Sequence, residues 1–179
     1  MNESDRVKDY DQHAADPFWW SYSAYALLNA SDHLFVQYNT AQTMMIKKKG
    51  GRVPPEAEWL TIVFSLRGRG LECLLKALCA KNGVEMSKDG RLTLNSHKLV
   101  DLAKQSGLEL SEEEEQLLSR FTKAIEWGTY PMPISFQTWR LPIEGVTGGI
   151  PPISVWKPSD IDDSIKLQNK IIYQLNSDK

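Results

Sequence analysis

From Phe18 onward, large apolar residues recur mostly at spacings of three, four and seven: Phe18, Trp19, Tyr22, Ala26, Leu34, Phe35, Tyr38, Met45 and Ile46. This is the period of one helical face. Asp16-Pro17 supplies a start, a capping side chain followed by a ring whose fixed φ suits a first helical turn. Lys47, Lys48 and Lys49 suit the negative end of the helix dipole, and Gly50-Gly51 supplies a stop. Some 30 residues would span about 45 Å, so a bend near Asn29 to Asp32 is expected. Ahead of this helix, residues 1–16 hold Glu3, Asp5, Asp9 and Asp11 but few large apolar residues, and are expected to form a flexible, loosely docked arm.

A second helical pattern follows Pro54-Pro55, with Trp59, Ile62, Val63, Leu66, Leu71, Leu74, Leu75 and Leu78 on one face and Asn82-Gly83 at its end. Gly68 and Gly70 interrupt it at about 1 kcal/mol each relative to Ala. Because the apolar stripe continues on both sides, they predict close packing against another backbone. Residues 84–96 read as a connecting loop. HKLVDLAKQSG then predicts a short helix with His97 just inside it, Leu99, Leu102 and Ala103 inward, and Gly107 as its stop. Ser111 and Glu114 form a capping box ahead of a fourth helix carrying Leu117, Leu118, Phe121, Ile125 and Trp127. Most of the nine prolines lie between 131 and 158, which predicts an extended wrapping segment with a short strand pair at ISFQTW and ISVW. A last amphipathic helix, capped by Ser159 and Asp162, carries Ile165, Leu167, Ile171, Ile172 and Leu175 inward. The expected fold is all-α, a bundle of four or five helices with a Pro-rich wrapping segment.

At 179 residues the chain is long enough for one domain with an appended segment. Its core needs no metal or disulfide support. Twenty-one Lys and Arg against 23 Asp and Glu give a net charge of -2, so no global positive field recruits nucleic acid, although a local basic groove remains compatible with it. Cys73 and Cys79, six apart in one apolar helix, suit neither a disulfide framework nor a zinc site and are expected to be buried reduced thiols. The acidic start does not read as a leader, and no apolar run reaches the roughly 18 residues of a membrane span. A cytoplasmic location without membrane contact is expected. The cluster Phe18, Trp19, Trp20, Tyr22 and Tyr25 places aromatics on more than one face of its helix, which points to a homodimer surface.

The polar residues of the second helix are concentrated in Arg67, Arg69, Glu72 and Lys76. Glu72 and Lys76 have the spacing and order of a helix-face ion pair. They also suit the wall of a groove in which Arg67 or Arg69 binds phosphate. His97 and Lys98 open the next helical stretch, where the His either packs across helices or joins that groove. His13, His33 and His97 form no metal constellation by spacing, and no phosphate-binding glycine loop, nucleophile elbow or metalloprotease motif is present. Neither a metal nor a cofactor is expected.

Three linked stretches, LECLLKALCAKNG at 71–83, HKLVDLAKQSG at 97–107 and AIEWGTYPMP at 124–133, together resemble HEPN domains. In that family an E-x-x-x-K helix precedes a His-polar-Leu helix, and an aromatic-Gly-basic-Tyr-Pro turn closes the bundle. The resemblance covers roughly 17–133, leaving 1–16 as the arm and 134–179 as the Pro-rich segment with its C-terminal helix. It implies an antiparallel helical bundle, frequent dimerisation, and roles in RNA cleavage, nucleotide-related binding, toxin-antitoxin pairing or antiviral defence. A nucleotidyltransferase-type protein is the partner that a toxin-antitoxin role implies. On this resemblance Arg67, Arg69, Glu72, Lys76, His97, Lys98 and Tyr130 are the candidate ligand-binding residues.

HEPN ribonucleases carry an Arg, a polar residue and a later His on a late helix. Here the fourth helix has Arg120 without such a His. Arg91 to His97 has the right interval, but Leu92 takes the polar position and the stretch lies ahead of the third helix. Thr129 stands where a basic residue would precede Tyr130-Pro131. The expectation is therefore a HEPN-like binding or assembly module, for a nucleotide, an RNA or a partner protein, without ribonuclease activity. The alternatives are a metal-independent endoribonuclease using Arg91 and His97, and a structural dimeric subunit.

Overall fold

A computed structural model describes residues 2–47, 59–94, 96–129 and 159–177. In it the chain runs through α1 (Glu3–Ala15), α2 (Pro17–Lys47), α3 (Leu60–Lys81), a hairpin of β1 (Ser87–Lys88) and β2 (Arg91–Leu92), α4 (Leu99–Gln105), α5 (Glu112–Thr129) and α6 (Ser159–Asn176). Among the described residues the fold is all-α apart from that hairpin. The expected Gly50-Gly51 stop, the Pro-rich segment, its strand pair and Tyr130 lie outside the described residues.

α3 is the centre of the bundle, packing against α2, α4, α5 and α6. Its two interior glycines explain how two helices approach so closely from opposite sides. A Cβ on Gly68 would lie 3.0 Å from the Phe121 carbonyl oxygen and 2.9 Å from Ile125 Cγ1, both on α5. A Cβ on Gly70 would lie 2.6 Å from Leu28 Cγ on α2. The close packing expected from the sequence is thus present on both faces. Around it, Leu71, Leu74, Leu75, Leu99, Leu102, Leu118 and Phe121 are fully buried in one apolar core, and Phe64 stacks on Phe121.

Residues 3–15, expected as a loosely docked arm, are a helix. Asn2 and Asp5 close a capping box at its start. The helix then docks through buried Ala14, and through Asp11, whose carboxylate accepts from the Gly90 N–H. The loop expected at 84–96 contains the hairpin, whose Asp89 and Gly90 both have positive φ, as a two-residue type I′ turn requires. α3 and α4 both end in a Schellman arrangement. Val84 N donates to Cys79 O and Gly83 N to Ala80 O, and Leu108 N and Gly107 N make the equivalent bonds to Ala103 O and Lys104 O. The Ser111 and Glu114 capping box starts α5 as expected.

α6 docks through charge as well as through Ile161, Leu167 and Ile171. Arg120 grips buried Asp160 with two hydrogen bonds of 3.1 and 2.7 Å, and Lys170 reaches Glu114 at 2.7 Å. Lys81 Nζ donates to the carbonyls of Gln174, Leu175 and Ser177, satisfying the open end of the helix. Ile165, expected inward, is 38% exposed, because the inward positions around it go to Ser164 and Leu167.

Candidate functional site

α3 carries Glu72 and Lys76 one turn apart on its outer side, and both side chains are nevertheless almost wholly buried. Lys76 Nζ donates to Glu72 Oε1 at 2.6 Å. The other carboxylate oxygen, Oε2, lies 3.0 Å from His97 Nδ1. Trp20 of α2 covers the pair, with Lys76 Nζ 5.2 Å from its ring centroid, an arrangement that suits a cation over an aromatic face. Trp20 is itself fixed by its indole N–H, which donates to the Ala14 carbonyl at the end of α1. α1, α2, α3 and the segment ahead of α4 therefore meet here.

His97 is placed two residues before α4, where the sequence put it just inside the helix. The correction follows from the extended backbone of Lys98, which is the N-cap. The segment is pinned on its far side, since Leu99 N donates to Thr122 Oγ1 of α5. An ionised carboxylate only accepts, so Nδ1 of His97 carries the proton toward Glu72, leaving Nε2 to accept when the ring is neutral and to donate when it is charged. The ring is half exposed, with a side chain 53% accessible. Among the described residues Nε2 has no hydrogen-bond partner.

The remaining candidates divide. Arg67 stands about 180° around α3 from Lys76 and is completely buried. Its guanidinium donates to Ser164 Oγ, to Asp32 Oδ1 and, at 3.2 Å, to Gln168 Oε1, joining α2, α3 and α6. It is a core pin, which corrects the expectation of a groove residue able to bind phosphate. Arg69 lies on the Glu72 and Lys76 side of α3 and is half-buried. Lys98 is exposed beside His97, and Arg91 is exposed on β2. No hydrogen bond or ion pair joins Arg91 to His97 among the described residues. Tyr130 lies outside them.

Cys73 and Cys79 are free thiols on the same helix. Burial, reinforced by the Glu72 charge and opposed by Lys76 and Arg69, pushes Cys73 up to about 11. Burial, opposed by Lys76, raises Cys79 to about 11. Cys73 is half-buried where full burial was expected, and neither thiol is an activated nucleophile. His13 lies against Trp19 with the two rings tilted and His33 is exposed, so the three histidines stand apart. Among the described residues no cluster of three or more His, Cys, Asp or Glu side chains could hold a metal ion, and no helix is long and apolar enough to cross a membrane.

Sequence reasoning missed Trp20 as part of this site and grouped it with the surface aromatics. The signal was available in Trp19-Trp20, because adjacent helical residues point about 100° apart and one indole must leave the face of the other. Compared with known proteins, the chain matches no family model, no curated protein and no solved structure.

Proposed function

We propose that this chain is a HEPN-like binding module that receives the phosphate of a nucleotide or RNA segment at His97. The observation that carries the reading is the half-exposed imidazole held through Nδ1 by a buried carboxylate that Lys76 already neutralises. This supports a ring of fixed orientation with Nε2 offered to a ligand, and an imidazolium there donates a charge-assisted hydrogen bond to a phosphate oxygen. Lys98, exposed next in sequence, adds a solvent-facing cation. On the family resemblance, such a module works beside a nucleotidyltransferase-type partner in a toxin-antitoxin or defence setting.

The test is calorimetric titration of the chain with ATP and with a mixed-sequence single-stranded RNA at pH 6. The expected result is binding weakened tenfold or more by His97→Ala and less by Lys98→Ala. Binding that neither substitution changes, or no binding of either probe at millimolar concentration, overturns the reading.

The second reading is metal-independent RNA cleavage by Arg91 and His97. It is favoured by one feature, a carboxylate on Nδ1 with Nε2 open, which general acid-base catalysis requires. Against it, among the described residues no hydrogen bond or ion pair ties the Arg91 guanidinium to His97, where it would have to stabilise the charge developing on the phosphoryl oxygens.

A further inference from the structure

Asn82-Gly83, the stop of α3, is also the only Asn-Gly pair in the chain. Such a pair carries its own reaction. The glycine nitrogen, once it has lost its proton to base, attacks the side-chain Cγ of the asparagine, because glycine has no β-carbon to shield it. The folded chain holds both groups away from that reaction. Asn82 has ψ of 8°, so Gly83 N is eclipsed with the Asn82 backbone nitrogen and stands roughly 120° of rotation from Cβ. Closing a five-membered ring needs Gly83 N and Cβ nearly eclipsed instead. Asn82 Nδ2 donates to the Ser106 carbonyl at 2.7 Å, which draws the amide toward the end of α4. The Gly83 N–H donates to Ala80 O at 3.1 Å, so the proton that must leave is held. The Ser106 carbonyl is itself set by α4. Ser106 is buried, its hydroxyl donates to Ala103 O at 2.7 Å, and Gly107 turns the chain with φ of 76°. Cys79 Sγ, 3.6 Å from the Leu102 carbonyl, ties the same two helix ends a second time.

We propose that Asn82 is a modification site, locked while the ends of α3 and α4 are joined and converted to aspartate and isoaspartate when they part. Water is the only co-reactant. In the first step the bond from Gly83 N to Asn82 Cγ forms and the bond from Cγ to Nδ2 breaks. The proton lost by Gly83 is returned to the departing nitrogen, which leaves as ammonia, and a succinimide remains. Water then adds across one of the two ring C–N bonds. Cleavage at Cγ gives aspartate, and cleavage at the main-chain carbonyl carbon gives isoaspartate. Neither product restores the lock. An ionised carboxylate only accepts, so it sets acceptor against acceptor at the Ser106 carbonyl. Isoaspartate also adds a carbon to the main chain just where Gly83 N and Val84 N must reach Ala80 O and Cys79 O. Opening permits conversion and conversion prevents closing, so the site keeps an irreversible record of how often this junction opens. The proposal is independent of any ligand at His97.

Mass spectrometry of the peptide 82–88, released by cleavage after Lys81 and Lys88, tests it, with digestion in heavy-oxygen water to mark any conversion during the digest. Over days at pH 8, conversion in the native full chain should be at least about tenfold slower than in guanidinium chloride, because two hydrogen bonds must open first. Gly107→Ala strains the turn that carries the Ser106 carbonyl, and should raise the native rate severalfold without changing the rate in denaturant. Gly83→Ala should slow conversion in denaturant, since it shields the attacking nitrogen. Equal rates in native and denatured wild type overturn the proposal, whatever the variants do. A native rate that Gly107→Ala leaves unchanged, in a chain shown to be folded by circular dichroism, overturns it too, as does conversion in denaturant indifferent to Gly83→Ala.

Discussion

His97 Nδ1 and Glu72 Oε2 stand 3.0 Å apart, so one buried carboxylate serves two donors of very different exposure, a half-open imidazole N–H and a nearly enclosed ammonium. The two contacts have different energetic roles. Glu72 is needed by Lys76 for stability and by His97 for orientation.

Removing the carboxylate alone should therefore be costly. Glu72→Ala leaves Lys76 buried without its counter-charge, and the expected loss in urea unfolding is about 3–5 kcal/mol. The double substitution Glu72→Leu with Lys76→Met should recover most of that loss, since an apolar pair of similar volume avoids desolvating two ions. His97→Ala, at an exposed ring, should cost about 1 kcal/mol or less. Equal losses in all three variants would contradict this division.

Gly70→Ala should destabilise the bundle although alanine is the better helix former by about 1 kcal/mol. The added methyl meets Leu28 at 2.6 Å, and overpacking of a filled core typically costs about 1–3 kcal/mol. Thermal unfolding is the measurement, and Gly83→Ala is a useful contrast. Nothing lies within 4 Å of a Cβ at Gly83, so its penalty arises from the positive φ of 76° alone.

The thiols should react slowly in the folded chain and reduce stability in alkali. With folded values raised to about 11 from an ordinary 9.0, both remain protonated when an unfolded thiol has begun to ionise. The unfolded chain then binds fewer protons, so this contribution is flat below about pH 9 and stability falls as pH rises from 9 to 11. For buried Cys79 the loss is at most about 2–3 kcal/mol. At pH 8, labelling by a thiolate-specific reagent should be about a hundredfold slower than in denaturant. Rapid native labelling of Cys79 would show that the helix opens locally.

Incubated with single-stranded RNA in EDTA, the chain should produce no cleavage. Cleavage abolished by both Arg91→Ala and His97→Ala would instead establish the endoribonuclease reading, because contamination does not respond to substitutions in this chain.

Helical periodicity was sufficient to read α2 to α6, whose core faces are continuous enough for spacing alone to reveal them. α1 escaped because its one buried apolar residue, Ala14, is too small to mark a stripe, although the Asn2 and Asp5 cap was written in the sequence. The hairpin escaped because its strands are two residues long, too short for alternation to show; the Asp89-Gly90 pair was its only local sign. Glu72, Lys76 and His97 were legible as neighbours because α3 carries the first two and the short segment leading into α4 carries the third. Arg67 was not, since Asp32, Ser164 and Gln168 lie 35, 97 and 101 residues from it. A lone Arg in a helical stripe looks like a surface charge until distant partners close over it.

The manner in which α6 is held also orders events during synthesis. Arg67, Arg120, Glu114 and Lys81 all leave the ribosome before α6 does, and each waits for a partner on it. Until residues 159–177 are made, Asp32 is the one partner among Asp32, Ser164 and Gln168 that Arg67 can reach, so the buried guanidinium is fully satisfied only when α6 docks.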